Sequence, residues 1–137
     1  ASDPIADWPV RGTWLRLPVI PDPNWLPGHR GLDLAAPIGS AVRSPVSGNV
    51  SWVGEINFVP GLTVVDLLGL KHSLQPVIAD VAAGDWVQRG QVIGVIAASE
   101  HCRVSCLHWG VRDGRSYLDP RWLLPPAIRR LPAYARG

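Results

Sequence analysis

The chain predicts an all-β fold: a compact antiparallel β-sheet or sandwich with an extended N-terminal arm and a short C-terminal helix. Three observations carry this expectation. Fourteen glycines and fourteen prolines in 137 residues supply frequent turns. The chain is nevertheless rich in valine, leucine and tryptophan, which separates it from disordered low-complexity sequence. Several stretches between these turns are short, and the best of them alternate apolar with polar residues, the period of a half-buried strand.

Taken in order, residues 1–27 contain Pro18, Pro21, Pro23 and Pro27, which break any regular element and predict an arm wrapped on the body. Ala41 to Val53 reads as a hairpin turning at Ser47-Gly48, Leu62 to Leu68 as a buried apolar strand, and Lys71 to Val81 as the strand after Gly69. Trp86-Val87 and Val92 to Ile96 read as a second hairpin around Arg89-Gly90. Leu107 to Arg112 should pair with Arg115 to Leu118 across Asp113-Gly114, a strong two-residue turn signal. Asp119-Pro120 combines a capping residue with a first-turn proline and predicts a short helix that Pro125-Pro126 ends. The expected organisation is an arm over 1–27, a domain over 28–124 and a basic tail over 125–137.

A chain of this length supports one domain that buries roughly two-thirds of its unfolded surface, enough for a core without metal or disulfide support. Net charge is only +2, so no nucleic-acid partner is expected. Arg121, Arg129, Arg130 and Arg136 near the end read as a solvated tail. No apolar run reaches about 18 residues, so no transmembrane helix is expected. The start at Ala1-Ser2-Asp3, without a charged-then-apolar leader, predicts that a signal or anchor segment has been trimmed.

The chemistry concentrates in two short segments, His29-Arg30-Gly31-Leu32-Asp33 and Cys106-Leu107-His108. Imidazole nitrogen and carboxylate oxygen are zinc donors. A strand points alternate residues to one face, so the first segment could close on a C-terminal strand that presents His108 together with residue 106.

The block from Gly28 to Gly39, GHRGLDLAAPIG, resembles the lysostaphin/LytM-type zinc endopeptidases, which cut the peptide bridges of bacterial peptidoglycan. The likeness continues in family order through Ser44 to Val50, Ala83 to Gly94, Leu107 to Gly110 and Tyr117 to Pro120. The resemblance implies a LytM-type fold built on a duplicated hybrid motif, a bound Zn²⁺, and His29, Asp33 and His108 as its protein ligands. It also implies an extracytoplasmic setting (secreted, periplasmic or wall-associated), with peptidoglycan or its peptides as partner, or a cell-wall hydrolase or division protein.

Two family features are missing. The first histidine of the family's H-x-H falls on Cys106, and the histidine of its Tyr-x-His strand falls on Pro76. Proline has no titratable group, so nothing at position 76 replaces an imidazole. His72 and His101 are the candidate substitutes. On a strand His72 would face the same side as Pro76 but about 13 Å away at ~3.3 Å per residue, too far for direct replacement. His101 lies in the loop beside Cys102. C-x-x-x-C alone is weak metal evidence, and the wall-facing setting implied by the resemblance favours a Cys102–Cys106 disulfide. Trp86 and Trp109 are expected in the core, and Trp25 and Trp52 are candidates to line a groove, with burial the default.

Three functions follow from different classes. One is a degenerate module that keeps the zinc ligands and binds wall material or steers a wall hydrolase. Another is an active zinc metalloendopeptidase that cleaves peptidoglycan cross-links. The third, a lipoyl- or biotin-carrier-like sandwich, fails because a carrier needs a lysine before the first half-motif and the sole lysine is Lys71. A positioned acid or base is worth about 10²–10⁴-fold, so two missing bases favour the degenerate module.

Overall fold

The computed structural model describes residues 6–10, 14–16, 31–98 and 105–125. Within them the chain forms β1 (Trp14–Arg16), β2 (Leu32–Ala35), β3 (Ala41–Arg43), β4 (Gly48–Ile56), β5 (Val59–Asp66), β6 (Lys71–Gln75), β7 (Val77–Ala79), β8 (Trp86–Val87), β9 (Val92–Ile96), β10 (Cys106–Asp113) and β11 (Ser116–Leu118). A single 3₁₀ turn, Pro120–Leu123, follows. The larger sheet has the order β1-β2-β10-β6-β5-β4-β8, with β11 also on β10, and the smaller one runs β3-β9-β7. Every pairing is antiparallel. The expected all-β, antiparallel architecture is present, as a curled sheet.

Register decides which side chains meet. Leu32, Trp109, Leu74 and Leu62 lie in one cross-strand row, and Leu34 and Leu107 in the next row on the same face. All are essentially buried, in one cluster with Val42, Val77, Ile93 and Ile96 of the smaller sheet. Removing each such side chain from water stabilises the fold by roughly 1.5–3 kcal/mol. Because the side-chain period is two, the same register sends Asp33, His108 and Gln75 to the opposite face of the larger sheet.

Two expected hairpins do not form. β3 pairs with β9 and β4 with β5 and β8, so the chain changes sheets at residues 44–47 instead of turning back at Ser47-Gly48. The second crossing, between β8 and β9, stands beside it: Ser44 N donates to Gln91 O, Gly90 N to Ser44 O and Arg89 N to Ser47 Oγ. Alternation reveals a strand but not its partner, and Gly48 serves close approach rather than the expected turn. A Cβ there would stand 2.0 Å from the Val65 carbonyl oxygen.

Other boundaries moved for local reasons. The Lys71–Val81 strand divides at the cis Gln75-Pro76 bond, β6 staying in the larger sheet and β7 joining the smaller. Leu67 and Leu68, expected in a buried strand, occupy an exposed turn after Asp66. The β10–β11 hairpin forms with Asp113 opposite Ser116, so its two loop residues are Gly114 and Arg115. The expected short helix is the 3₁₀ turn, capped by Asp119, which accepts from Arg121 N at 3.0 Å. Trp109 is buried as expected, whereas Trp86 is half exposed. In the N-terminal segment, β1 extends the sheet beside β2, and Trp8 meets the Trp109 ring edge-on at 6.3 Å.

Candidate metal centre

Asp33 on β2 and His108 on β10 are directly opposed across an antiparallel pair. His108 Nδ1 and Asp33 Oδ1 are 2.7 Å apart, with the carboxylate side chain 3% and the imidazole 16% exposed. A buried carboxylate is costly without a donor, and the imidazole supplies it. This is an oxygen and a nitrogen donor held together on two rigid strands, a donor set that fits Zn²⁺. His29, the third expected ligand, lies outside the described residues, as do His101, Cys102 and Trp25. Among the described residues no three His, Cys, Asp or Glu side chains converge.

The surroundings of the pair explain its geometry. Gly31 lies under the imidazole: a Cβ there would stand 2.6 Å from His108 Nε2 and 2.7 Å from Trp109 O. Only hydrogen at that position leaves the ring room. Gln75 stands opposite His108 on the other flank, and the buried Pro76 follows it. Cys106 is two residues before His108 on the same face and is 1% exposed, opposite Ala35. Neither Pro76 nor Cys106, where the resemblance expects histidine, carries an imidazole; Cys106 shares the face of His108, and Pro76 follows the residue paired with it. Sequence reasoning missed Gly31 as a contact and Gln75 as a neighbour, because both are defined by cross-strand register.

His72 is fully buried on the core face, opposite in register to Val111. Its Nε2 is 2.9 Å from Asp66 Oδ2, and its Nδ1 is 3.1 Å from the Trp109 Nε1–H. Indole is a donor only, so Nδ1 must accept and the ring proton sits on Nε2, facing the carboxylate. Both nitrogens are committed on the far side of the sheet from His108, so this imidazole is built into the core.

Asp66 also accepts from Leu68 N and Leu70 N, each at 2.9 Å. Burial works against its charge, but the bonds from His72 and from the two backbone N–H groups outweigh burial and hold the carboxyl below its ordinary 3.8. A depressed folded-state value means stability that is full above the unfolded value near ~3.9 and is lost as pH falls through the lower folded value. Asp66→Asn is expected to lower Tm at neutral pH, with the gap to the native protein narrowing below about pH 4. Thermal melts across that range check this, and a constant gap would refute it.

The curled antiparallel sheet, presenting a carboxylate–imidazole pair from neighbouring strands, is a metallopeptidase-like fold shared with an M23 peptidase of known structure. The chain belongs to peptidase family M23, whose model matches residues 27–120. It is 36% identical to an uncharacterized protein of Mycobacterium tuberculosis over its whole length, covering 59% of that protein. It is 30% identical to the uncharacterized lipoprotein YgeR of Escherichia coli, over 72% of this chain and 40% of that one. The chain thus spans little more than half the length of these relatives at most. Among solved structures it resembles a putative M23 peptidase from Pseudomonas aeruginosa, with 28% identity, a TM-score of 0.71, and coverage of 89% of this chain and 51% of the other. The fold also matches a zinc-containing peptidase from Vibrio cholerae with a TM-score of 0.70 at 22% identity, covering 85% and 39% of the two chains.

Proposed function

We propose that this chain is a degenerate M23 module that holds Zn²⁺ through His29, Asp33 and His108, binds peptidoglycan peptides outside the cytoplasm, and hydrolyses them little or not at all. The single observation that carries the reading is the Asp33–His108 contact at 2.7 Å, beside two family histidine positions occupied by Pro76 and Cys106. The domain over 28–124 is the binding unit, with 1–27 as its arm and 125–137 as a basic tail. A Cys102–Cys106 bridge is part of the same reading, supported by the absence of a free thiol among the described residues. A wall hydrolase steered by the module is the protein partner that a silent site would serve.

Zinc, when bound, supplies Lewis acidity and acidifies a coordinated water toward a pKa of ~7. The chain's own residues position the donors. Asp33 is held buried by β2, and His108 is oriented by Gly31 below and Asp33 across. Neither residue 76 nor a bridged residue 106 offers a group that takes or gives a proton at the site, and an acid or base of that kind is worth about 10²–10⁴-fold.

Purified protein is expected to carry about one zinc per chain. His108→Ala should lose the metal and keep the fold, because the core on the opposite face does not depend on it. Elemental analysis with near-ultraviolet circular dichroism measures both, and undiminished zinc in the folded variant would refute the ligand assignment.

A further inference from the structure

Asp33, His108 and Gln75 form one cross-strand row over β2, β10 and β6, on the face of the larger sheet that points away from the core. Leu74, the residue before Gln75, is buried in the core, so the alternation of the strand sends Gln75 to the face of the metal pair. Gly61 of β5 adjoins it there: a Cβ on Gly61 would stand 3.3 Å from Gln75 Cβ. Directly opposed side chains have Cβ atoms about 4.5–5.5 Å apart. The Gln75 carboxamide therefore stands beside the His108 imidazole, on the flank opposite Asp33, and Gly61 brings no side chain over it.

The other polar groups of this face have partners. Asp33 and His108 meet at 2.7 Å, and the hydroxyls of Thr63 and Ser73, further along the sheet, meet at 3.3 Å. Gln75 is half-buried, yet its carboxamide bonds no described residue. Such a group offers two N–H donors and one carbonyl acceptor. Holding it partly out of water without a partner is unfavourable. It is also neutral, with no proton to exchange near neutral pH.

We propose that Gln75 is a ligand-contacting residue of this centre, its Nε2–H donating to the oxygen of an acyl group, carbonyl or carboxylate, held at the metal. The assignment rests on the reading of Asp33 and His108 as metal ligands. Geometry supports it, because Gln75 is the residue opposed to His108 on the flank that Asp33 leaves open. Chemistry supports it too, because a fixed N–H donor complements an oxygen that a cation polarises. The same group accounts for retention without turnover: it fixes the oxygen but transfers no proton, so binding proceeds without the general acid or base that hydrolysis needs.

The test uses the full chain loaded with zinc and calorimetric titration with acetohydroxamate, an anionic acyl probe that binds zinc through oxygen. Gln75→Leu, which keeps the bulk and loses the donor, should weaken probe binding by about tenfold or more, the range for hydrogen bonds to charged groups. Gln75→Glu places a carboxylate against the bound oxygen and should weaken binding further. Thr63→Val, on the same face but outside the row, should leave affinity unchanged. Zinc content should equal that of the native protein in all three variants. Native affinity in Gln75→Leu and Gln75→Glu would overturn the assignment. Zinc loss from folded Gln75→Leu would overturn it as well, since Gln75 would then support the metal rather than its ligand. A native protein that takes up no zinc would remove the Asp33–His108 centre itself, whereas a zinc-loaded protein indifferent to position 75 removes only this role.

Discussion

Cleavage of cross-linked wall peptides is expected to rise by about 10²–10⁴-fold when histidine is placed at positions 76 and 106 together, in the variant Pro76→His, Cys106→His, Cys102→Ser. The register supports position 106, which points to the same face as His108 two positions earlier, while position 76 rests on the family pattern and directly follows Gln75, the residue paired with His108. The Cys102 change removes the thiol that loss of the proposed bridge would leave unpaired. Chromatography of released peptides, with zinc content measured on the same preparation, checks the outcome. A folded, zinc-loaded variant with no gain would show that the missing histidines are not what limits the native site.

Gly31→Ala should weaken zinc binding by roughly 10–100-fold, the cost typical of disturbing a group that orients a ligand. The added methyl would stand 2.6 Å from His108 Nε2, 2.7 Å from Cε1 and 2.7 Å from the Trp109 carbonyl oxygen. The carbonyl belongs to a strand paired on both sides and does not yield, so the imidazole must turn away from Asp33. Overpacking of this kind also costs about 1–3 kcal/mol of stability. Gly84→Ala separates the two effects. At φ +95 with nothing within 4 Å, it strains the backbone by roughly 1–2 kcal/mol far from the pair and should leave zinc affinity unchanged. Competition against a chromophoric chelator measures both variants, and native affinity in Gly31→Ala would remove the glycine from the account.

Fold class was legible because many short segments and Asp113-Gly114 report local geometry, which alternation and turn chemistry encode directly. Partners were not legible. Gly48 and Gly90 suggest tight turns, yet the chain crosses between sheets at both places, and nothing in a period of two distinguishes a neighbour in sequence from one in another sheet. At the candidate site, Asp33 and His108 were readable from residue type and spacing, and the structure brings those two together. Pro76 and Cys106 were visible as gaps in the family pattern. The inward turn of His72 was not, because its face depends on the pairing of Lys71–Gln75 with β5 and β10. Trp86 illustrates the same limit: its residue type favours burial, but its place on a two-residue edge strand leaves it half exposed.

The most direct test of the degenerate-site account is the hydrolysis of purified, cross-linked peptidoglycan by the zinc-loaded native protein, followed with and without a chelator. Little or no peptide release under either condition is the predicted result, alongside retention of the protein on the insoluble wall. Robust hydrolysis that the chelator abolishes, and that persists in His72→Ala and His101→Ala, would contradict the account and show that the site works without the two missing histidines.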